Sequence, residues 1–210
     1  MQSPYRLAAG WPFRLCSWCW VGGVSLSLLP AAALAQTGPF DEVRFGVLFH
    51  DVLPIYSTHH ENGVDLNGEL YFVSPVPNAW LTDVRPNLRW LLRPRPSFGF
   101  DANTAGATSQ LYVSAVWTVD LDNGDRLWPD GTVFMDFGVG PAYNTGHVAS
   151  RSSQHLSLGS NLLFHLSVDL GVRLTRVLSA SIYFEHSSNA GLAPYNPGLN
   201  NVGLRMGFRF

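Results

Sequence analysis

The feature that most limits what this chain can fold into is alternation. From Val64 the even positions carry Val64, Leu66, Gly68, Leu70 and Phe72, and the odd ones Asp65, Asn67, Glu69 and Tyr71. That is the period of a strand with one apolar and one polar face. The pattern returns at Val43, Phe45, Val47 and Phe49, interleaved with Arg44, Gly46, Leu48 and His50, and again from Leu111 to Val119. Val133, Met135, Phe137 and Val139 enclose Asp136 and Gly138. Leu162, Phe164, Leu166, Val168, Leu170, Val172 and Leu174 share one phase, with Leu163 the exception on the other. The closing run sets Val202, Leu204, Met206, Phe208 and Phe210 against Gly203, Arg205, Gly207 and Arg209. Two further runs, Arg93 to Ala102 and Leu178 to Ser187, bring the number to eight. Each is about ten residues long, the length a tilted strand needs to cross a bilayer.

The polar face decides between a soluble sandwich and a membrane barrel. A solvated face carries large, well-hydrated side chains, whereas this one mixes Gly and Ser with Asp, Glu and Arg able to pair with one another. Such a face suits a narrow barrel interior. The expected fold is therefore all-β, an eight-stranded antiparallel transmembrane outer-membrane β-barrel. A transport pore is disfavoured, because side chains fill a barrel of eight strands. His50, His165, Asp65, Glu69, Asp136, Asp169, Arg173 and Arg205 read as a satisfied polar network in the lumen.

Composition agrees. Only 13% of the 210 residues are charged, against about a quarter in a soluble domain. All 13 basic residues are Arg, and the formal net charge is -2 with no basic run, which excludes a nucleic-acid footprint. High aromatic content with low charge excludes disorder. Beyond the first 35 residues no apolar stretch is long enough for a spanning helix.

Those 35 residues read as a secretory signal peptide. Arg6 and Arg14 precede an apolar stretch from Leu15 to Leu29, and Ala33-Leu34-Ala35 supplies a small-x-small cleavage site. Residues 36–210 are then a single barrel domain. Cys16 and Cys19 fall inside the leader, so no thiol chemistry is expected of the exported chain. Long or Gly/Ser/Pro-rich connections follow the odd-numbered strands, and Thr175-Arg176 makes a tight turn. Val73 to Leu92 is a long exception on the opposite side. Trp80, Trp90, Trp117 and Trp128 fall on that side, near an interfacial belt. The closing Phe210 resembles the assembly signal of outer-membrane barrels, which implies the barrel-assembly machinery as a partner during biogenesis.

Chemistry is expected in the seventh run. Its even phase reads Ala180, Ile182, Phe184, His186, Ser188, so a histidine and a serine continue a lipid-facing row. An ionisable group at membrane depth is a functional hypothesis by default, and two same-face residues of a strand can bring imidazole to hydroxyl. The competing reading is that the strand has left the bilayer here and both residues are wetted.

The stretch Phe184-Glu185-His186-Ser187-Ser188-Asn189-Ala190-Gly191-Leu192, then Pro194 and Asn196-Pro197-Gly198, resembles the lipid A deacylase family (PagL-like, or acyloxyacyl hydrolases). Arg44 to Val52 and Asp65-Leu66-Asn67-Gly68-Glu69 look similar to it as well. The resemblance implies an outer-membrane enzyme, its site facing the outer leaflet, that hydrolyses an ester-linked acyl chain of lipid A in lipopolysaccharide, the 3-O position being the one expected. It implies Ser188 as nucleophile and His186 as general base, with Asn189, the Gly191 amide and Asn196 as oxyanion or substrate-binding donors. The chain departs from the family in having Asn200 where an acid orients the histidine. An amide oxygen can hold the tautomer but cannot offset the imidazolium charge. Glu185 is a poor substitute, because alternation points it inward. The departure keeps open a non-enzymatic barrel, structural or adhesin-like. No cofactor is expected and no metal, the His59-His60-Glu61 cluster reading as wetted. Loops near residues 143–159 and 188–199 would cradle the sugar; the oligomeric state is left open.

Overall fold

In the computed structural model the described residues are 38–52, 60–122, 133–149, 152 and 154–210. The expected leader, with both cysteines, lies outside them, as do His59 and Trp128. Eight antiparallel strands follow in order: β1 (Phe40–Phe49), β2 (Val64–Phe72), β3 (Arg95–Asn103), β4 (Gln110–Asp120), β5 (Val133–Asn144), β6 (Leu162–Arg173), β7 (Leu178–Ser188) and β8 (Leu199–Arg209). Each pairs with its sequence neighbours, and β8 returns to β1 with Phe49 opposite Val202 and Val43 opposite Phe208, which closes the barrel. Closure removes every sheet edge, the condition for strands to survive in lipid.

The alternation sorts the two faces as expected. Phe45, Val47 and Phe49 point outward and are exposed, while Arg44, Leu48 and His50 between them are buried. Ile182, Leu204 and Met206 extend the outer apolar surface, and Tyr183, Glu185 and Arg205 lie inside. β5 runs past Val139, where the alternation becomes unreadable, because Gly140 and Pro141 carry no pattern, yet the pairing with β6 continues to Tyr143 opposite Leu162.

The lumen is filled by ion pairs. Arg44 lies 2.9 Å from Glu42, 2.7 Å from Asp136 and 2.6 Å from Asp169. Arg205 reaches Glu69 at 2.7 Å, and its second nitrogen bonds Asp169 and the Tyr71 hydroxyl. Away from water such charges persist only because each has partners on several strands. Arg173 belongs to the rim instead, 2.7 Å from the exposed Asp120.

At the other end, a buried apolar cluster of Leu156, Leu158, Leu163 and Leu199 seats the β5–β6 loop. This accounts for Leu163, the residue that broke the alternation of β6. The long 73–92 segment forms two 3-10 helices, Asn78–Leu81 and Pro86–Leu92. It is tied to the barrel wall by the Trp117 indole N–H, which donates to the Leu91 carbonyl at 2.7 Å.

Candidate active site

The site is built on the paired ends of β7 and β8. His186 and Ser188 lie two residues apart on the outward phase of β7, half-buried, in line with Ala180, Ile182 and Phe184. The β7–β8 register sets Asn200 directly opposite His186. His186 Nε2 is 2.9 Å from Ser188 Oγ, and its Nδ1 is 2.8 Å from Asn200 Oδ1. An amide oxygen only accepts, so the contact requires the proton on Nδ1 and leaves Nε2 as the acceptor of the serine O–H. Asn200 is 5% exposed, which keeps water from competing for that bond.

Gly198 closes the third side. Its φ of +74° is left-handed, and a Cβ there would stand 2.7 Å from His186 Cε1. Only glycine admits both that backbone and the ring against it.

The residues after Ser188 form a tight turn. Ala190 and Gly191 both have positive φ, at 54° and 78°, and the Asn189 side chain organises the turn. Its Oδ1 accepts from the Gly191 amide at 2.9 Å and from the Ala193 amide at 3.4 Å. Its Nδ2 donates to the carbonyls of Leu158 and Tyr195, and its backbone N–H donates to Asn196 Oδ1 at 3.0 Å. Of the three expected oxyanion donors, then, Asn189 and the Gly191 amide are engaged in holding the loop. The Asn196 side chain is anchored through its oxygen, and its amide nitrogen makes no bond among the described residues. The sequence offered no sign of this division, because an amide side chain looks the same whether it braces a loop or faces a ligand.

An apolar groove of about 480 Å³ starts at His186 and crosses the outer wall. Cross-strand register explains it. His186, Leu166 and Val139 form one outward row, and Phe184, Val168, Phe137 and Trp117 form the next. A second histidine–serine pair, His165 Nδ1 with Ser187 Oγ at 3.3 Å, is wholly buried in the lumen, where no ester can reach. Glu185 also faces inward, bonded to Asn201 and Gln110.

On the loop side of the lumen His50 sits between Asp65 at 2.8 Å and Glu61 at 3.2 Å. Burial disfavours its charged form, but the hydrogen bonds and charges of the two carboxylates outweigh burial and push it up to about 9. Glu61 thus turns inward, away from His60, which lies 3.9 Å from Asp51.

Comparison with known proteins adds to this geometry. The crystal structure of the outer membrane enzyme PagL is similar, with TM-score 0.57 at 20% identity over 80% of this chain and 99% of that one. The N-terminal β-barrel domain of Pseudomonas aeruginosa OprF aligns with TM-score 0.46 at 9% identity, over 83% of this chain and 100% of that one. No curated protein matches the sequence. The family model described as lipid A 3-O-deacylase (PagL) matches residues 78–209, which span β3 to β8 with His186, Ser188 and Asn200. This eight-stranded barrel of the outer-membrane type belongs to the lipid A 3-O-deacylase (PagL) family.

Proposed function

We propose that the chain is an outer-membrane serine esterase that removes the 3-O-linked acyl chain of lipid A. The observation that carries this reading is the outward-facing relay of Asn200, His186 and Ser188, with both imidazole nitrogens in hydrogen-bond range of a partner. A relay on the lipid side of the wall meets an ester in the leaflet without drawing the substrate out of it. The outer leaflet is where lipid A resides, so on this reading the Asn189 end of the barrel is the external one.

In the reaction Ser188 Oγ attacks the ester carbonyl carbon while His186 Nε2 takes the hydroxyl proton. The negative charge passes to the carbonyl oxygen, and of the three expected donors we assign its stabilisation to the Asn196 amide, whose oxygen alone is engaged by the loop. Collapse breaks the ester bond, and the Nε2 proton goes to the departing sugar oxygen. Water then attacks the acyl-serine with His186 again as base, releasing the fatty acid and restoring Ser188. Asn200 holds the tautomer and offers the imidazolium a dipole in place of a charge. The groove leading away from His186 is apolar on both sides, which suits the acyl chain.

Mass spectrometry of lipid A from cells with and without the protein tests the proposal. Loss of one 3-hydroxyacyl mass is expected. An unchanged pattern at high expression, in a strain whose lipid A carries the 3-O ester, would place the chain among barrels that keep the motif without the chemistry. Asn200 is the observation that favours that second reading.

A further inference from the structure

Away from Ser188, three side chains from two loops converge. Glu61 lies just before β2, and His147 and His155 lie in the loop between β5 and β6. One ligand-capable atom from each is within 4.8 Å of the other two. Glu61 Oε1 and His155 Nδ1 are 3.9 Å apart, and the two imidazoles are neighbours, centroids 4.5 Å apart and tilted by 31°.

We propose that Glu61, His147 and His155 bind a divalent transition-metal ion of the zinc type, which clamps the β1–β2 loop to the β5–β6 loop. Two imidazoles and one carboxylate are a donor set that selects zinc-like ions over magnesium or calcium, which prefer oxygen alone. Ligand atoms around a tetrahedral zinc stand about 3.4 Å apart, given bonds of about 2.1 Å. The pair at 3.9 Å therefore needs to close by about 0.5 Å, and atoms at the 4.8 Å limit by about 1.4 Å. His155, with 39% of its side chain exposed, has the freedom to make that move.

Glu61 is already aimed. Its Oε2 accepts from the Thr108 amide at 2.9 Å and contacts His50 Nε2 at 3.2 Å, while Oε1 accepts from the Leu156 amide at 3.0 Å. A carboxylate offers about four acceptor positions, and one on Oε1 remains for an ion next to His155. Partners of this kind, which orient a ligand from behind, are what a preorganised metal site requires. A water would complete the coordination.

The ion would hold the loop that braces the nucleophile's neighbour. The His147 carbonyl accepts from the Leu158 amide at 2.8 Å, and the Leu158 carbonyl accepts from Asn189 Nδ2, also at 2.8 Å. Neither His186 nor Ser188 takes part, so the inference stands apart from the esterase reading.

The test uses the full chain, folded in detergent and stripped with chelator, carrying Cys16→Ser and Cys19→Ser so that no thiol competes. Calorimetric titration with zinc chloride is expected to show one ion per chain. His147→Gln and His155→Gln should each weaken binding at least about tenfold, and His60→Gln should leave it unchanged. Visible absorption of the cobalt-loaded protein should lose its nitrogen-ligand signature in the first two variants alone. Heat-modifiable gel mobility verifies that each variant is folded. Failure of the stripped protein to take up zinc at micromolar concentration, or unaltered affinity in either of the two variants, would overturn the proposal.

Discussion

His186 and Asn200 face each other directly across the β7–β8 pair, with Nδ1 and Oδ1 2.8 Å apart. Because opposed residues on one face of adjacent strands hold their side chains at a fixed separation, the barrel wall itself positions the imidazole. Asn200→Ala should lower deacylation by roughly ten- to a hundredfold, through loss of the held tautomer. Asn200→Asp should maintain or raise it by stabilising the imidazolium. Burial disfavours the ionised carboxylate, so any gain is largest at alkaline pH and fades as pH falls. Rates of the purified, detergent-folded variants across pH check this; indifference to both substitutions would make Asn200 a bystander.

Ser188→Ala and His186→Ala should each reduce turnover by at least about a thousandfold, with the barrel intact. Both side chains lie on the outer phase, outside the lumen network. Retained activity in either variant, with normal heat-modifiable mobility, would contradict the assigned roles.

Gly198→Ala should cost activity although it touches no substrate. The added methyl would stand 2.7 Å from His186 Cε1, the carbon between two nitrogens that both have partners. Any displacement of the ring lengthens at least one of those bonds, and a drop in kcat of about tenfold or more is expected, with KM little changed. A kcat equal to that of the unsubstituted chain would show that the ring has room to move.

Val139→Trp should obstruct the groove that starts at His186. Hydrolysis of lipid A is expected to fall severalfold or more, while a short ester such as p-nitrophenyl acetate is cleaved normally. Equal loss on both substrates would show that the groove does not hold the acyl chain.

Arg205→Leu should destabilise the barrel by about 3–5 kcal/mol, because it leaves the buried Glu69 carboxylate without its cation and Asp169 with Arg44 alone. Urea unfolding in lipid vesicles, followed by tryptophan fluorescence, measures the change. A midpoint unaffected by the substitution would mean that water or Arg44 compensates.

The barrel could be read from the chain because its signal is local. A strand that meets lipid on one side and a crowded lumen on the other must alternate, and residues such as Leu66, Asn67, Leu70 and Tyr71 carry that alternation within a stretch of six. His186 and Ser188 stood out by the same rule, as polar residues in an apolar phase. What only the tertiary structure decided depends on pairing between distant segments. Register, fixed by closure of eight strands, set Asn200 against His186 and lined up Leu166 and Val139 beneath it. Loop packing turned Asn189 into a brace, pressed Gly198 against the imidazole and swung Glu61 inward towards His147 and His155, far away in sequence. Backbone alternation repeats every two residues and shows itself in any short window. Hydrogen bonds among loops have no period, so their partners appear only once the chain has folded.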